Sequence, residues 1–388
     1  MRSPDLDKIL AAMLKTYDGI SDLNFTVGHP PQVEDYGELK PVYTDPAIEA
    51  LTPYQTERIA LTIMQGNRRL IYDFLTTGAC DCSYNLPGDA RFRVSIFRQQ
   101  GHFSVVLRKL YGEVPTIDEL GLPPIFREIA KEKTGLVLVT GATGSGKTTT
   151  LAALLNEINR TQPVHVITLE DPIEFVHPKA KATFNQRELG HDFNNYPNGL
   201  RAALRQAPKV ILVGEMRDRA TVEVALMAAE TGHLVLSTLH TVDAGQSINR
   251  ILGLFSLGEE KQLRIRLADT LRYVVSQRLA PKVGGGRQLL TEILGHNLRT
   301  QEAIALGEGE HRSFYEIIEA SAPFGWMTFD QSILSAYESG FISEETARLY
   351  ASRKGRITRG IDLIQKSRGY DTDLDSGLRL DLPENAFQ

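Results

Sequence analysis

The sequence predicts an α/β fold in which a small α+β domain precedes a core built on parallel strands. A helical region ends the chain. Apolar runs alternate with helical segments from residue 125 onward, which is typical of a parallel sheet buried on both faces. Short strands and helices mix before residue 112, and helical spacing dominates the last third.

Composition narrows the class of protein. A chain of 388 residues accommodates two or three domains. Its net charge of −5 gives no basic footprint, so no nucleic acid partner is expected. No run approaches the roughly 18 apolar residues of a membrane-spanning helix, and the first residues lack a signal-peptide core. We therefore expect a cytoplasmic location.

The first domain is predicted at 1–112, followed by a Gly- and Pro-rich linker at 113–124. Apolar spacing predicts helices over residues 5–17 and 53–65. Residues 91–98 alternate polar and apolar side chains, as a half-buried strand does. The predicted strands are Leu23–Val27, Phe92–Phe97 and Val105–Leu107.

The core is predicted at 125–295 and a helical region at 296–370. The predicted core strands are Leu136–Val139, Val164–Leu169, Val210–Val213 and Leu234–Ser237. The predicted later helices are Glu259–Arg278, Phe329–Tyr337 and Glu344–Ala351. Residues 371–388 are acidic with few large apolar side chains, so a disordered tail is expected there.

A phosphate-binding loop follows the first core strand. It matches G-x-x-x-x-G-K-[ST] at every fixed position, in the strand-then-helix context that the motif requires. Its residues are Gly141, Ala142, Thr143, Gly144, Ser145, Gly146, Lys147, Thr148 and Thr149. Backbone amides and a helix starting near Lys147 would hold the phosphates of a nucleoside triphosphate. The Thr148 hydroxyl is the candidate ligand for Mg²⁺.

Carboxylates follow two of the predicted core strands. Glu215 comes after Val210–Val213, the pattern of a Walker B strand, and Glu170 with Asp171 comes after Val164–Leu169. A carboxylate there can orient the attacking water or hold Mg²⁺ through a water. Because Gly214 precedes Glu215, no Asp at that position can ligate the ion directly.

Histidines flank the fourth core strand, with His233 before it and His240 after it. His240 is a candidate γ-phosphate sensor, and His233 is a weaker candidate for a contact to the nucleotide. Arg91 and Arg93 lie on one face of their predicted strand. They could supply the positive charge that phosphoryl transfer needs.

The two cysteines, Cys80 and Cys82, are separated by one residue. Residues i and i+2 of a strand share a face, so a metal pair is conceivable. No second pair exists to complete a tetrahedral site. We interpret them as small strand residues.

Four segments occur in an order that resembles the Walker A, Asp, Walker B and His boxes of secretion-superfamily ATPases. They are Gly141–Thr149, Thr168–Phe175, Ile211–Asp218 and Thr231–Thr241. The stretches 214–218 and 88–94 resemble the type IV pilus retraction ATPases, the PilT/PilU family. The tail after Arg368 and the Arg93-Val94-Ser95 spelling are more similar to the PilU branch, and the choice of branch stays open. Extension ATPases usually carry a tetracysteine zinc insert, which two cysteines cannot build.

The resemblance implies a PAS-like N-terminal domain, a RecA-like P-loop ATPase core and a homohexamer. It implies that Glu215 is the catalytic carboxylate, with Glu170 assisting and His240 near the γ-phosphate. Arg91 and Arg93 would reach nucleotide at a domain or subunit boundary. The implied partners are an inner-membrane pilus platform protein and a paralogous pilus ATPase, which places the chain at the inner face of that membrane. The alternatives are a secretion or conjugation motor, and a nucleotide-binding regulator of another pilus motor.

Overall fold

The computed structural model describes residues 3–43, 47–88, 90–110, 112–309 and 313–369. The predicted disordered tail at 371–388 lies outside these residues. The described residues form two compact units. The first unit contains the described residues up to Leu136 and the segment Thr148–Thr238. The second unit contains the segment Val137–Lys147 and the described residues from Leu239 onward. In this described part of the chain, no helix has the length and apolarity to cross a membrane.

A six-stranded antiparallel sheet forms the N-terminal part of the first unit. Its strands are β1 (Ile20–Phe25), β2 (Gln32–Asp35), β3 (Glu38–Pro41), β4 (Ala79–Leu86), β5 (Ala90–Gln99) and β6 (His102–Lys109), in the order β3-β2-β1-β6-β5-β4. Three helices accompany it, α1 (Ser3–Met13), α2 (Pro53–Met64) and α3 (Arg68–Thr77). Apolar residues of these helices and strands share one buried core that includes Leu10, Phe25, Ile59 and Phe92.

Alternation places the two arginines of β5 on the face opposite that core. Phe92, Val94 and Ile96 are fully buried, whereas Arg91 and Arg93 retain exposed surface. The predicted half-buried strand is therefore confirmed. Its polar face is available to other residues of the first unit.

A seven-stranded sheet contains the remaining strands. They are β7 (Gly135–Thr140), β8 (His165–Glu170), β9 (Thr183–Glu188), β10 (Val210–Val213), β11 (Leu234–Leu239), β12 (Leu271–Pro281) and β13 (Arg287–Leu294). The order is β13-β12-β7-β11-β10-β8-β9. Strands β9, β8, β10 and β11 pair in parallel, with Val213 opposite both Leu169 and Ser237. Their carboxyl ends therefore lie at one edge of the sheet, where ligand sites of such sheets form.

Eleven further helices are present among the described residues. They are α4 (Ile125–Ile129), α5 (Lys147–Thr161), α6 (Tyr196–Ala203), α7 (Arg219–Glu230), α8 (Ala244–Leu252), α9 (Leu257–Thr270), α10 (Leu298–Leu306), α11 (Phe314–Ala320), α12 (Phe329–Glu338), α13 (Glu344–Tyr350) and α14 (Lys354–Ser367). Helix α12 packs on β12 and β13 through Phe329 and Ile333, which join Ala280 and Leu290 in a buried cluster.

The predicted helix Glu259–Arg278 is wrong in its second half. Helix α9 ends at Thr270, and Leu271 begins β12, which pairs antiparallel with β13. The run Tyr273-Val274-Val275 favours a strand because its aromatic and β-branched side chains pack well on a pleated surface. The core sheet is consequently mixed: parallel pairing is confirmed for β8, β10 and β11, and the antiparallel pair of β12 and β13 extends the predicted parallel sheet.

The cysteines lie on β4, and both side chains are buried, which confirms that they are strand residues packed in the core. Burial raises the pKa of Cys80 to about 11 and that of Cys82 to about 12.

Two residues of the predicted linker are held by hydrogen bonds to helix α5. The Asn156 Nδ2 of this helix donates to the carbonyls of Val114 and Pro115.

Candidate active site

The phosphate loop connects β7 to α5, and α5 begins at Lys147 as the motif predicts. Gly141 has a φ of 142°, and a Cβ built there would lie 2.5 Å from the Gln277 carbonyl oxygen and 2.5 Å from Ser145 Oγ. Only glycine fits this position, because any other side chain would collide with backbone. The loop therefore keeps its compact turn through the absence of a side chain.

Polar groups of the loop are arranged for an anion. Lys147 is buried, and its Nζ donates to the carbonyls of Gly141 and Ala142, each at 2.9 Å. Ser145 Oγ is buried and makes no hydrogen bond with the described residues. A cation and an unused hydroxyl beside exposed backbone at Ala142 and Thr143 fit the phosphates of a nucleotide.

Thr148 and Thr149 are half-buried at the start of α5. Within the described ranges, no group of three or more His, Cys, Asp or Glu side chains could hold a metal ion. Mg²⁺ in such sites usually takes few protein ligands and completes its shell with phosphates and water. The Thr148 hydroxyl fits that requirement as a single oxygen ligand at the loop.

The first unit carries the predicted carboxylates. Glu170 ends β8, and Gly214 follows β10, with the Gly214 N–H donating to the Leu169 carbonyl at 2.8 Å. A Cβ on Gly214 would lie 3.0 Å from Tyr196 Oη and 3.1 Å from the Leu169 carbonyl oxygen. A side chain at position 214 would therefore be tightly packed against backbone, and glycine avoids these contacts.

Glu170 is 8% exposed. Its Oε1 accepts hydrogen bonds from Thr168 Oγ1 at 2.6 Å and Gln186 Nε2 at 3.1 Å. Burial raises the pKa of Glu170 to about 7, while these two donors oppose the rise. A carboxyl poised near neutrality can exchange a proton at physiological pH.

Glu215 has a more open setting. Its Oε2 pairs with Arg217 Nε at 2.5 Å, and the side chain of Arg217 is 73% exposed. Asp171 lies in the same group, because Arg93 and Glu215 both act on its charge: burial raises its pKa, and Arg93 lowers it. The structure thus brings Glu170, Asp171 and Glu215 into one acidic cluster.

The two arginines of β5 face this cluster within the first unit. Arg91 Nη2 forms an ion pair with Glu188 Oε2 of β9 and donates to Ser83 Oγ at 2.9 Å. Arg91 also lowers the pKa of Glu170, as Arg93 does for Asp171. Positive charge therefore reaches the carboxylates from the N-terminal sheet.

The structure separates the two histidines. His240 directly follows the carboxyl end of β11 and is exposed. His233 precedes β11 at its amino end, where Nδ1 lies 3.0 Å from the Ala228 carbonyl oxygen. His233 therefore lies at the amino edge of the sheet, whereas Glu170 lies at the carboxyl edge. A contact between His233 and the nucleotide stays a prediction, and its position within the first unit does not support it.

Sequence reasoning missed Glu188, Gln186 and Tyr196. Glu188 is 3% exposed and lies opposite Glu170 in the parallel register. Burial raises the pKa of Tyr196, and Asp171, Glu215 and Glu170 raise it further. The alternation of side chains in Thr183–Glu188 was the only sequence signal for this strand. The segment is short and polar, so it does not resemble a buried strand.

The fold and the site define a class of protein, the P-loop nucleoside triphosphatases. A complete phosphate loop between a strand and a helix occurs with carboxylates at the carboxyl ends of parallel strands. Similarity to known proteins identifies the family within this class.

Residues 82–313 match the family described as type II/IV secretion system protein. The chain is 40% identical to the type IV pilus retraction ATPase PilT of Pseudomonas aeruginosa, over 89% of this chain and 97% of PilT. It is 35% identical to the type IV pilus ATPase PilU of the same organism, over 98% of each chain. A crystal structure of the pilus retraction motor PilT with bound ADP has a TM-score of 0.81 and 39% identity, covering 91% of this chain and 99% of that one. This chain therefore belongs to the PilT/PilU family of type IV pilus ATPases, as its motifs predict.

Proposed function

We propose that this chain is an ATP-hydrolysing motor that drives type IV pilus retraction, the movement that powers twitching motility. One observation carries the proposal: a chain similar to PilT over nearly its whole length retains both Lys147 of the phosphate loop and Glu215 after β10. Loss of Glu215 would favour the regulator that only binds nucleotide, and loss of Lys147 would weaken nucleotide binding itself. Their presence supports hydrolysis.

We assign the roles from the positions of the side chains. The backbone of 141–147 and Lys147 bind the phosphates, with Thr149 beside them, and Thr148 ligates Mg²⁺, which neutralises charge on the phosphates. Glu215 orients the attacking water and takes its proton, and Glu170 assists. His240 contacts the γ-phosphate. Arg91 and Arg93 stabilise negative charge from the N-terminal sheet.

The finer architecture belongs to the same proposal. The N-terminal sheet with α1–α3 is a PAS-like domain, and the seven-stranded sheet is a RecA-like core, with domain boundaries at 112, 124 and 295. The assembly is a homohexamer acting at the inner face of the membrane on a pilus platform protein. A paralogous motor is a further partner, since Pseudomonas aeruginosa has both PilT and PilU.

A second candidate function is a secretion motor. The structure of the Legionella pneumophila ATPase DotB has a TM-score of 0.79 and 29% identity to this chain, and the similarity covers 95% of that chain. Deletion of the gene separates the candidates. Loss of pilus retraction with secretion intact supports the first, and intact retraction contradicts it.

The test of hydrolysis is Glu215→Ala in the purified full chain. We expect binding of a fluorescent ATP analogue to stay within about threefold, because the phosphate loop is untouched. Phosphate release should fall at least about 100-fold, since the group that orients water is gone. Glu223→Ala is the matched control, because Glu223 is a half-buried glutamate that pairs with Arg219 on α7. Unchanged turnover in Glu215→Ala would contradict the assignment.

A further inference from the structure

The carboxyl group of Glu170 is held through one of its two oxygens. Thr168 Oγ1 and Gln186 Nε2 both donate to Oε1, and no hydrogen bond to Oε2 is found among the described residues. Two donors on one oxygen restrict rotation of the carboxyl group. They leave Oε2 as its unused acceptor.

Gln186 is fixed in its turn. Its Nε2 also donates to the Phe175 carbonyl at 2.8 Å, and its Oε1 accepts from the His177 N–H at 2.9 Å. Because a backbone N–H can only donate, the side-chain oxygen of Gln186 must face His177. The amide nitrogen is thereby directed to Glu170, and the opposite amide orientation would break all three bonds.

The strand register brings the three side chains together. Thr168 pairs with Gln186 across β8 and β9, and Glu170 lies two residues beyond Thr168 on the same face of β8. All three belong to the first unit. The arrangement therefore depends on two neighbouring strands.

We propose that Gln186 and Thr168 are positioning residues for hydrolysis, which hold Glu170 by Oε1 so that Oε2 accepts a hydrogen bond from the substrate water. This inference rests on the proposed function, because it requires Glu170 to assist at the reaction. Neither residue contacts the reacting atoms in this scheme. Both act through the orientation and charge of Glu170.

The charge of Glu170 gives a second line of support. Each donor favours the carboxylate and so lowers the pKa that burial raises. Other ionisable groups act on this carboxylate or face it. They are Glu174, Arg91, Glu188, Asp171 and Tyr196. Loss of a donor should raise the pKa of Glu170 further and reduce its ionised fraction at neutral pH.

The experiment measures Mg²⁺-dependent ATP hydrolysis by the full chain as a function of pH. Gln186→Leu and Thr168→Val each remove one donor to Glu170. Thr168→Ser keeps the hydroxyl and serves as the conservative variant at the same position. We expect kcat at neutral pH to fall about tenfold with KM for ATP within about twofold, because one hydrogen bond to a charged group is lost. The acid limb of the kcat profile should move to higher pH, and Thr168→Ser should recover both values.

Asn185→Ala is the matched control on β9. Asn185 is exposed and its Oδ1 lies 2.8 Å from His165 Nε2, so the substitution removes a hydrogen bond of the same strand that does not involve Glu170. We expect wild-type kcat and an unmoved pH profile. A loss equal to that of Gln186→Leu would show that any damage to β9 lowers the rate and would overturn the proposal.

The double variant Glu170→Gln/Gln186→Leu tests whether Gln186 affects hydrolysis through Glu170. If Gln186 acts through Glu170, its replacement costs no further activity once Glu170→Gln is present. Additive losses would overturn the inference. If Gln186→Leu does not fold, Thr168→Val and Thr168→Ser decide, because valine keeps the shape of threonine.

Two single variants separate the inference from the proposed function. Absence of Mg²⁺-dependent ATP hydrolysis by the wild-type chain contradicts the function itself, whereas hydrolysis that survives in Glu215→Ala contradicts only the role of Glu215. Full activity in Glu170→Gln contradicts the role of Glu170, and the inference fails with it. A loss in Glu170→Gln with normal activity in Gln186→Leu and Thr168→Val contradicts the inference alone.

Discussion

Each compact unit contains a buried glutamate at a strand, Glu170 in the first and Glu292 in the second. They are 8% and 6% exposed, and burial raises the pKa of both to about 7. By these two measures the residues are equivalent. Only Glu170 lies in the proposed active site.

Their hydrogen-bond donors differ. Glu292 Oε1 accepts from the Ala244 N–H at 3.0 Å, and the Phe329 N–H is a second backbone donor to this carboxylate. These amides begin α8 and α12, so Glu292 satisfies two helix N-termini. Within the described ranges, Glu170 accepts only from the side chains of Thr168 and Gln186. A raised pKa therefore does not identify a catalytic group, whereas the donors around it separate a structural role from a chemical one.

Of the substitutions at these two buried glutamates, Glu170→Gln should have the larger effect. Glutamine keeps the oxygen that accepts from Thr168 and Gln186 but cannot take a proton at neutral pH. We expect kcat for ATP hydrolysis to fall about 100-fold or more, with the melting temperature within a few degrees of wild type. A melting temperature that falls while kcat per folded molecule is retained would make Glu170 a structural residue like Glu292.

Glu292→Ala should have the opposite signature. The substitution leaves the Ala244 N–H buried without its acceptor, so we expect a loss of about 2 kcal/mol in the free energy of unfolding. Hydrolysis per folded molecule should stay within about twofold. Denaturant unfolding measures the loss of stability, and phosphate release from the same sample measures the retained hydrolysis. Glu292→Gln, which retains an acceptor, should lose less stability, and equal losses would show that the hydrogen bond is unimportant.

A smaller effect concerns the pH dependence of stability. Both glutamates have a folded pKa of about 7, above the value of an unfolded chain, so between these pH values the folded state binds more protons. Their contributions are present at acid pH and are lost as pH rises through about 7. We expect the free energy of unfolding to fall by roughly 1 kcal/mol per glutamate between pH 6 and pH 7. Glu292→Gln should flatten the curve, and an unchanged slope would contradict a raised pKa for Glu292.

Local patterns predicted the parts of the site that lie within single segments. Strand Val210–Val213 is confirmed at the residues predicted, and α5 begins at Lys147. The common face of Arg91 and Arg93 follows from a period of two, which needs no partner to be recognised. Such features can be read from the chain because they are fixed by neighbours in sequence.

The missed features depend on pairing between distant segments. Gln186 and Glu188 matter because β9 pairs with β8, and no local pattern in Thr183–Glu188 selects that partner. Strand β12 was missed for a related reason, since the helix before it continues into a strand without a Gly or Pro at the boundary. His233 illustrates the converse. The sequence itself places His233 before the strand, and membership of a motif does not bring its side chain to the carboxyl edge where Glu170 lies.

The buried thiols of β4 make the chain ready for site-specific labelling. A maleimide reacts with the thiolate. The pKa values of about 11 and 12 keep Cys80 and Cys82 protonated at neutral pH, and both side chains are buried. A single cysteine introduced at an exposed position would therefore carry a fluorophore without removal of the native pair. Changes around the labelled position during the ATP cycle could then be followed by the emission of that fluorophore in an otherwise wild-type chain.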